Sequence, residues 1–254
     1  SMTPDLIIAF LTLTFLEIIL GIDNIIFISI LANRFPKDKQ RKLIQIGLFL
    51  AMFMRIAMLT AISWLIRMTT SLFSIDFGWF TSNISVQAII LLAGGLFLIH
   101  KSTLEIFKKV ENIEEDQHEK KLNTTSYAGA LLQIVLIDIV FSFDSILTAI
   151  GMTNGISYAL WIMIAAVIIS IIIMMLFAIP LSRYINERPS LQILGLSFLL
   201  LIGFMLIAES AHISNTTFFG TSAGRIPKGY LYFSIVFSLG IEMINMRIKK
   251  KRSS

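Results

Sequence analysis

Seven long apolar stretches, separated by short polar segments, constrain the fold of this chain more than any other feature. They lie at Leu6–Leu31, Leu43–Ile66, Ile84–Leu104, Tyr127–Ile150, Tyr158–Leu181, Leu191–Ser210 and Tyr230–Ile248. A helix of about 20 residues, at about 1.5 Å per residue, crosses the hydrocarbon core of a bilayer. Charged residues make up only 15% of the chain, against about a quarter in soluble domains. We therefore predict an all-α membrane protein with seven transmembrane helices.

The basic residues predict how these helices are oriented. Seventeen of the 21 Lys and Arg residues lie in the C-terminal tail, in the segments that follow stretches one, three and five, or at the adjoining ends of stretches three and seven. Only Arg67, Arg225 and Lys228 lie on the other side, and Arg55 lies inside stretch two. Positively charged loops stay in the cytoplasm. We expect a multi-pass protein of the cell inner (cytoplasmic) membrane, with its N-terminus outside and its C-terminus in the cytoplasm. The net charge of +5 therefore reflects topology, and no nucleic-acid partner is expected.

An internal repeat relates stretch one to stretch four. Residues 16–26 read LEIILGIDNII and residues 137–147 read IDIVFSFDSIL, at a constant offset of 121 residues. A weaker echo relates GLFLI at residues 95–99 to GFMLI at residues 203–207. Because each half holds three spans, the second half must cross the membrane in the opposite direction. Inverted-topology repeats of this kind are typical of transporters.

The repeat also predicts how the chain is divided. Two inverted three-helix repeats, a linker, a loop and a last helix are expected. These are residues 5–107 (first repeat), 108–126 (cytoplasmic linker), 127–210 (second repeat), 211–228 (outer loop) and 229–248 (seventh helix). The aromatic-rich segment Phe73–Phe80 is expected at the outer membrane interface, where aromatic rings are enriched.

Acidic residues inside the apolar stretches are the strongest functional signal. Glu17 and Asp23 lie in stretch one, and Asp138 and Asp144 occupy the matching positions of stretch four. An ionised carboxylate at the centre of a membrane helix costs about 2.5–3.5 kcal/mol, so protons, basic partners or a bound cation must compensate. Structural ion pairs are the alternative, but Arg55 is the only basic residue deep in a stretch. One arginine cannot pair with four carboxylates, so we predict a cation site.

The neighbouring residues indicate which cation this site would prefer. Asn24 and Ser145 follow the second acid of each repeat and add neutral oxygen atoms, although either could instead cap a helix break. Carboxylate, amide and hydroxyl oxygens suit Mg²⁺, Ca²⁺ or Mn²⁺, and the absence of cysteine excludes thiolate sites. The small residues Gly21 and Ser142, between the paired acids, predict a break in each helix that would turn both carboxylates toward one cavity.

Four further polar residues are expected to contribute to a pathway or to charge balance. They are Arg55, Glu209, Glu242 and Asn245. Glu242 is a candidate partner of Arg55, and a purely structural role is its equal alternative.

The paired motifs resemble the two signatures of the TerC family of integral membrane proteins. They are Leu16–Ile28, LEIILGIDNIIFI, and Ile137–Gly151, IDIVFSFDSILTAIG. The segment Ile226–Tyr230 and the later Phe237, Ser238, Glu242 and Asn245 resemble the last-span pattern of that family. The segment between Glu209 and Ile226 is longer than the family pattern.

This resemblance implies a fold similar to the lysine-exporter superfamily, manganese export from the cytoplasm and a historical association with tellurium (tellurite) resistance. It also implies which residues form the metal site. These are Glu17, Asp23, Asn24, Asp138, Asp144 and Ser145.

Together, residues and resemblance predict an exporter of a hard divalent ion, most of all Mn²⁺, that works by alternating access. Protons leaving the carboxylates as a cation binds would couple export to proton exchange, as in an antiporter. No enzymatic activity and no prosthetic group are expected; membrane lipid, protons and the transported ion are the expected partners. A Ca²⁺ transporter and an amino-acid exporter of the same superfamily are the alternatives. An intramembrane aspartyl protease is disfavoured because no Gly-x-Gly-Asp element ends at Asp23 or Asp144.

Overall fold

The structure is a computed structural model that describes residues 4–111, 126–153 and 158–252. Within these ranges, six side chains lie outside the described part, including those of two predicted site residues, Asp23 and Asp144. The others are Leu20, Ile62, Ser63 and Arg252. The backbone of all six is described.

Helices make up most of the described chain. In order, the elements are α1 (Pro4–Ala32), α2 (Lys37–Thr60), α3 (Ile62–Arg67), β1 (Ser71–Asp76), β2 (Phe80–Ser85), α4 (Val86–Val110), α5 (Tyr127–Met152), α6 (Ala159–Asn186), α7 (Pro189–Ile213), β3 (Thr217–Phe218), β4 (Thr221–Ser222) and α8 (Lys228–Arg252). Seven helices of the described residues, all except α3, are long and apolar enough to cross a membrane. The prediction of a helical membrane protein with seven spans is thereby confirmed, whereas the orientation of its termini stays a prediction.

Local chemistry accounts for several helix boundaries. The hydroxyl oxygen of Ser85 accepts a hydrogen bond of 3.1 Å from the amide of Ala88 at the start of α4. Ser126 does the same for Gly129 at the start of α5, at 3.0 Å. Such caps satisfy amide groups that have no partner inside the helix. Pro189 begins α7, a position where a missing amide hydrogen does no harm.

The predicted helix breaks at Gly21 and Ser142 are wrong. Helix α1 is continuous from Pro4 to Ala32, and α5 is continuous from Tyr127 to Met152. The small residues serve other purposes. A Cβ atom at Gly21 would lie 1.9 Å from the sulfur of Met174, so glycine provides the space that α6 occupies. The hydroxyl of Ser142 donates a hydrogen bond to Asp138, one turn earlier in its own helix.

The described residues group into two compact units, each described by itself. The first lies within residues 1–68 and 115–187 and contains α1, α2, α3, α5 and α6. In it, α1 packs against α6, and α2 packs against both α5 and α6. Its helices come from both predicted repeats, and the repeat arrangement and its boundaries stay predictions. Fully buried Leu48, Ile134, Ile171 and Met174 form part of its core.

The second unit lies within residues 69–114 and 188–254 and is built on the contact between α4 and α7. A Cβ atom at Gly95 would lie 2.7 Å from the backbone oxygen of Gly203, and one at Gly203 would lie 2.9 Å from the oxygen of Gly95. The two helix backbones therefore touch at this pair of glycines, which is how small residues favour helix packing in membranes. The sequence echo around Gly95 and Gly203 corresponds to this reciprocal contact.

A small antiparallel sheet belongs to the second unit and was not predicted from the sequence. Its strand order is β1-β2-β3-β4, with Phe80 paired to Phe218 and Thr217 to Ser222. Strands β3 and β4 lie in the segment expected to be an outer loop. The ring of Trp79 lies 5.7 Å from that of Phe219, between centroids. The aromatic segment Phe73–Phe80 is thus part of a hairpin.

Candidate functional site

The candidate site of the first unit is built around a buried arginine. Helix α2 contributes Arg55, α1 contributes Glu17 and α5 contributes Asp138, with relative exposures of 2%, 6% and 2%. Arg55 Nη1 donates to Glu17 Oε2 at 2.5 Å, and Nη2 donates to Asp138 Oδ1 at 2.6 Å. Arg55 Nε adds longer contacts of 3.2 Å to both oxygens of Asp138. One guanidinium therefore joins carboxylates from two different helices.

Two neutral side chains complete the environment of Asp138. Asn24 Nδ2 donates to Asp138 Oδ1 at 2.7 Å, and the hydroxyl of Ser142 donates to Oδ2 at 3.3 Å. Both oxygens of this carboxylate thus accept hydrogen bonds, so it is satisfied although it is buried. A buried carboxylate needs these hydrogen bonds, because a buried charge without partners is strongly destabilising.

The side-chain oxygen of Asn24 is a possible ligand atom. Asn24 is buried, with a relative exposure of 4%, and its Oδ1 has no hydrogen-bond partner among the described residues. A buried polar atom left without a partner costs about 1–3 kcal/mol. The amide oxygen of Asn24 is therefore available to a ligand that accepts lone-pair electrons, such as a metal ion, or donates a proton, such as water.

The charges of this cluster do not cancel. Glu17 and Asp138, when ionised, carry two negative charges, against the single positive charge of Arg55. Arginine supplies a permanent, planar cation that suits two carboxylates at once. The three side chains retain one negative charge in excess, which a further cation or a proton would balance.

Two small cavities adjoin the cluster in the described part of the structure. One cavity of about 10 Å³ is lined by Asn24, Arg55 and Asp138 together with apolar side chains. A second of about 10 Å³ lies beside Glu17, between Leu59 and Ile146. Each has about the volume needed for one water molecule. A water molecule therefore fits beside each of the two carboxylates, Asp138 and Glu17.

The remaining predicted ligands lie on the same two helices. Asp23 and Asp144 follow Glu17 and Asp138 by six residues, which is about 9 Å along an α-helix; their side chains lie outside the described part. Ser145 is buried, and its hydroxyl donates to the backbone oxygen of Ser142 at 3.0 Å. Among the described side chains, no group of three or more acidic, histidine or cysteine residues could hold a metal ion. The six-residue metal site stays a prediction.

The structure adds to the sequence-based account of this site. Arg55 was expected to balance charge, and it is the residue that joins Glu17 to Asp138. Ser142 was expected to break a helix, and it is a hydrogen-bond partner of Asp138 instead. Its spacing of four residues from Asp138 was the signal that could have identified this role.

Three residues with predicted pathway roles lie in the second unit. Glu209 is half-buried on α7, Glu242 is half-buried on α8, and Asn245 is exposed on α8. Their proposed roles, including the pairing of Glu242 with Arg55, stay predictions.

Comparison with known proteins gives a match along the whole chain. The family model described as integral membrane protein TerC family matches residues 2–254. The chain is 43% identical over 247 residues to a UPF0053 protein of Haemophilus influenzae, covering 97% of this chain and 96% of the relative. It is 42% identical over 248 residues to the UPF0053 inner membrane protein YgdQ of Escherichia coli (strain K12), covering 98% and 95%.

A third relative is longer than this chain. The UPF0053 inner membrane protein YoaE of Escherichia coli (strain K12) is 41% identical over 245 residues, which is 96% of this chain and 43% of the relative. No solved structure matches the chain.

Proposed function

Because the chain belongs to the integral membrane protein TerC family, we propose that it exports a hard divalent metal ion, with Mn²⁺ as the expected substrate. The membrane location of the protein does not depend on this proposal. The described residues contain seven helices able to span a bilayer, and full-length relatives are inner membrane proteins. The chain is a multi-pass inner-membrane protein.

One observation carries the proposal: two buried carboxylates from different helices share one arginine. When both are ionised, their charge exceeds that of the arginine by one. Glu17, Asp138 and Arg55 lie inside membrane-spanning helices, where ionisable groups are rare and mark ion pathways. Stability alone does not require them, because a buried ion pair is often no more stable than well-packed apolar residues. An ion-handling role explains why such a cluster occupies the core of this unit.

In the proposed mechanism, Arg55 and the metal ion compete for the same carboxylates. A divalent ion that binds Asp138 displaces the guanidinium from Asp138 Oδ1, where it now lies at 2.6 Å. Asn24 would then offer its unpartnered amide oxygen as a neutral ligand. When the ion leaves, Arg55 returns and compensates the carboxylates again, so the empty protein can change conformation without burying bare negative charge.

Asp23 and Asp144 complete the proposed ligand set. Asp23 precedes Asn24 on α1 and lies six residues after Glu17, whereas Asp144 lies six residues after Asp138 on α5. Together with Asn24 and Ser145 they would provide only oxygen ligands, which Mn²⁺, Ca²⁺ and Mg²⁺ all accept. Carboxylates that lose protons as the ion binds would couple export to proton exchange. Alternating access between the two repeats would then move the ion across the membrane.

A flux assay in liposomes tests the proposal. The purified protein is reconstituted, and uptake of Mn²⁺, Ca²⁺ and Mg²⁺ is followed separately with a fluorescent indicator trapped inside. We expect Mn²⁺ flux from the wild type and its loss in Asp138→Asn. Ser170→Ala is the matched control, because Ser170 is also buried but bonds only to its own helix.

The possible results separate the alternatives. Faster Ca²⁺ than Mn²⁺ flux would identify a calcium transporter with the same site. Absence of flux for all three ions, from folded wild-type protein, would contradict the proposal. Exchange of labelled amino acids by the same liposomes would then support the amino-acid exporter.

A further inference from the structure

A larger cavity, separate from the two small ones, lies in the first unit away from the buried carboxylates. It has a volume of about 530 Å³, within the range of about 300–1,000 Å³ that is typical of small-molecule sites. It forms where the end of α1, the start of α2 and the end of α6 meet. Its lining includes the charged side chains of Lys37, Arg41, Arg183 and Glu187 and the apolar side chains of Ile44 and Ile179. None of these residues lines the small cavities beside Asp138 and Glu17.

The charge of this basic cavity is strongly positive. Lys37, Arg41 and Arg183 line it, against the single acidic residue Glu187. In the part of the chain that the structure describes, none of the three basic side chains forms a hydrogen bond or an ion pair. Three cations that face one space without partners repel one another, and an anion bound between them would relieve that repulsion.

Neutral side chains stabilise the wall of the basic cavity and provide a hydrogen-bond donor. Asn186 Nδ2 donates to the hydroxyl oxygen of Ser182 at 3.3 Å and to the backbone oxygen of Ser29 at 3.4 Å. Gln40 Nε2 donates to the backbone oxygen of Phe35 at 2.7 Å, which fixes the turn before α2. Because Ser182 accepts in this arrangement, its own hydroxyl hydrogen can be donated to a ligand.

We propose that the basic cavity binds a phosphate group, carried by an anionic phospholipid headgroup or by free phosphate. Two guanidinium groups, Arg41 and Arg183, provide the paired donors that match phosphate oxygens, and Lys37 adds a third positive charge. Basic pockets between membrane helices bind anionic headgroups in the same way. The excess positive charge would repel Mn²⁺, so this cavity does not serve the proposed metal site.

The apolar part of the lining favours a lipid as the source of the phosphate. Ile44 and Ile179 lie on the spanning helices α2 and α6. The cavity is therefore lined by charged side chains and also by apolar side chains of both helices. Its volume exceeds the needs of one inorganic phosphate and leaves room for the glycerol of a headgroup. The clustering of basic residues predicts the cytoplasmic side for this end of the unit.

Native mass spectrometry of the full-length protein in detergent tests the site. Phosphatidylglycerol is titrated against the wild type, with zwitterionic phosphatidylcholine as the lipid control. The double variant Arg41→Gln/Arg183→Gln removes two charges from the cavity. The matched variant Lys39→Gln/Lys42→Gln removes two exposed charges from the same end of α2 without changing the lining. Melting temperatures establish that both variants are folded.

We expect phosphatidylglycerol affinity to fall at least about tenfold, or about 1.4 kcal/mol, in the cavity variant and to stay near the wild-type value in the matched variant. A charge-preserving variant, Arg41→Lys/Arg183→Lys, should retain part of the affinity and remains informative if the glutamine variant does not fold. Equal losses in the cavity and matched variants would reveal a diffuse surface effect and overturn the proposal, as would no loss in either.

A second arm distinguishes the two sources of phosphate. Inorganic phosphate is added to protein that carries phosphatidylglycerol, and the fraction of protein with bound lipid is measured. Displacement by millimolar phosphate that disappears in the cavity variant would assign the site to free phosphate. Retention of the lipid would assign it to the headgroup. These binding measurements do not depend on metal flux. They can therefore support or contradict the phosphate site whatever the outcome of the transport assay.

Discussion

Arg55 Nη2 lies 2.6 Å from Asp138 Oδ1, although the two residues are 83 positions apart in the sequence. The contact joins the C-terminal part of α2 to the middle of α5, and Glu17 on α1 binds the other arm of the same guanidinium. One cluster of charged side chains therefore links three helices. Removal of Arg55 leaves two buried carboxylates without their cation, and this determines how its variants should behave.

Arg55→Gln should be strongly destabilising. It leaves Glu17 and Asp138 buried without their cation, and loss of one partner of a buried ion pair costs about 3–5 kcal/mol. The melting temperature of the purified protein in detergent should fall clearly below that of the wild type. Lys39→Gln, a change of an exposed basic residue on the same helix, should have little effect. A similar melting temperature for both variants would show that Arg55 does not hold the cluster together.

The same variant tests whether a metal ion can take the place of Arg55. If Mn²⁺ and the guanidinium compete for Asp138, added Mn²⁺ should raise the melting temperature of Arg55→Gln more than that of the wild type. Ligand binding to the folded state stabilises it by about 2.7 kcal/mol at a hundredfold excess over the dissociation constant. The double variant Arg55→Gln/Asp138→Asn should lose this additional Mn²⁺ effect. An equal Mn²⁺ effect in the wild type and all variants would contradict competition.

Asn24→Leu should weaken Mn²⁺ binding and also lower stability. Leucine has a similar volume, but it removes the 2.7 Å hydrogen bond to Asp138 Oδ1 and the free amide oxygen. We expect a loss of about 1–3 kcal/mol in the free energy of unfolding and a lower affinity for Mn²⁺ in a binding titration. Ser29→Ala is the control, since Ser29 is buried on α1 but bonds to the backbone of its own helix. Unchanged Mn²⁺ affinity in Asn24→Leu would exclude Asn24 as a ligand.

The sequence was sufficient to predict the spans and the buried acids, because hydropathy reports directly on contact with lipid. A carboxylate in an apolar stretch is conspicuous wherever its partner lies. The partner itself was harder to predict. That Arg55 joins Glu17 and Asp138 depends on how α2 packs against α5, and no local pattern encodes that contact.

Other features were missed because one residue type serves several purposes. Gly21 and Ser142 could break a helix, admit a neighbour or form a hydrogen bond, and only the packed structure distinguishes these roles. Strands β3 and β4 contain two residues each, too few for an alternating pattern. Strand β3 is recognisable only through its pairing with β4 and with β2, the latter more than 130 residues earlier in the sequence.

Gly95→Ala should destabilise the second unit. The added Cβ atom would meet the backbone oxygen of Gly203 at 2.7 Å, and the helix backbone cannot move as a flexible side chain could. Overpacking of this kind costs about 1–3 kcal/mol, which thermal unfolding would detect. Gly240→Ala, inside α8, is the control because, apart from the adjacent part of its own helix, the described structure has no atom within 4 Å of the new Cβ. Equal stability of the two variants would show that α4 and α7 do not depend on close backbone contact.

Asp23→Asn and Asp144→Asn should each reduce Mn²⁺ flux in liposomes at least about tenfold while leaving the melting temperature close to that of the wild type. The expected result follows from their proposed role as metal ligands, because removal of one charged ligand weakens a hard-ion site. Asp38→Asn is the control, since Asp38 is an exposed carboxylate in the first turn of α2. Two outcomes would count against this role. Undiminished flux in both variants would place the transported ion elsewhere, and loss of folding with loss of flux would make these acids structural. A selective loss of flux would tie the repeated motif of α1 and α5 to the transport step.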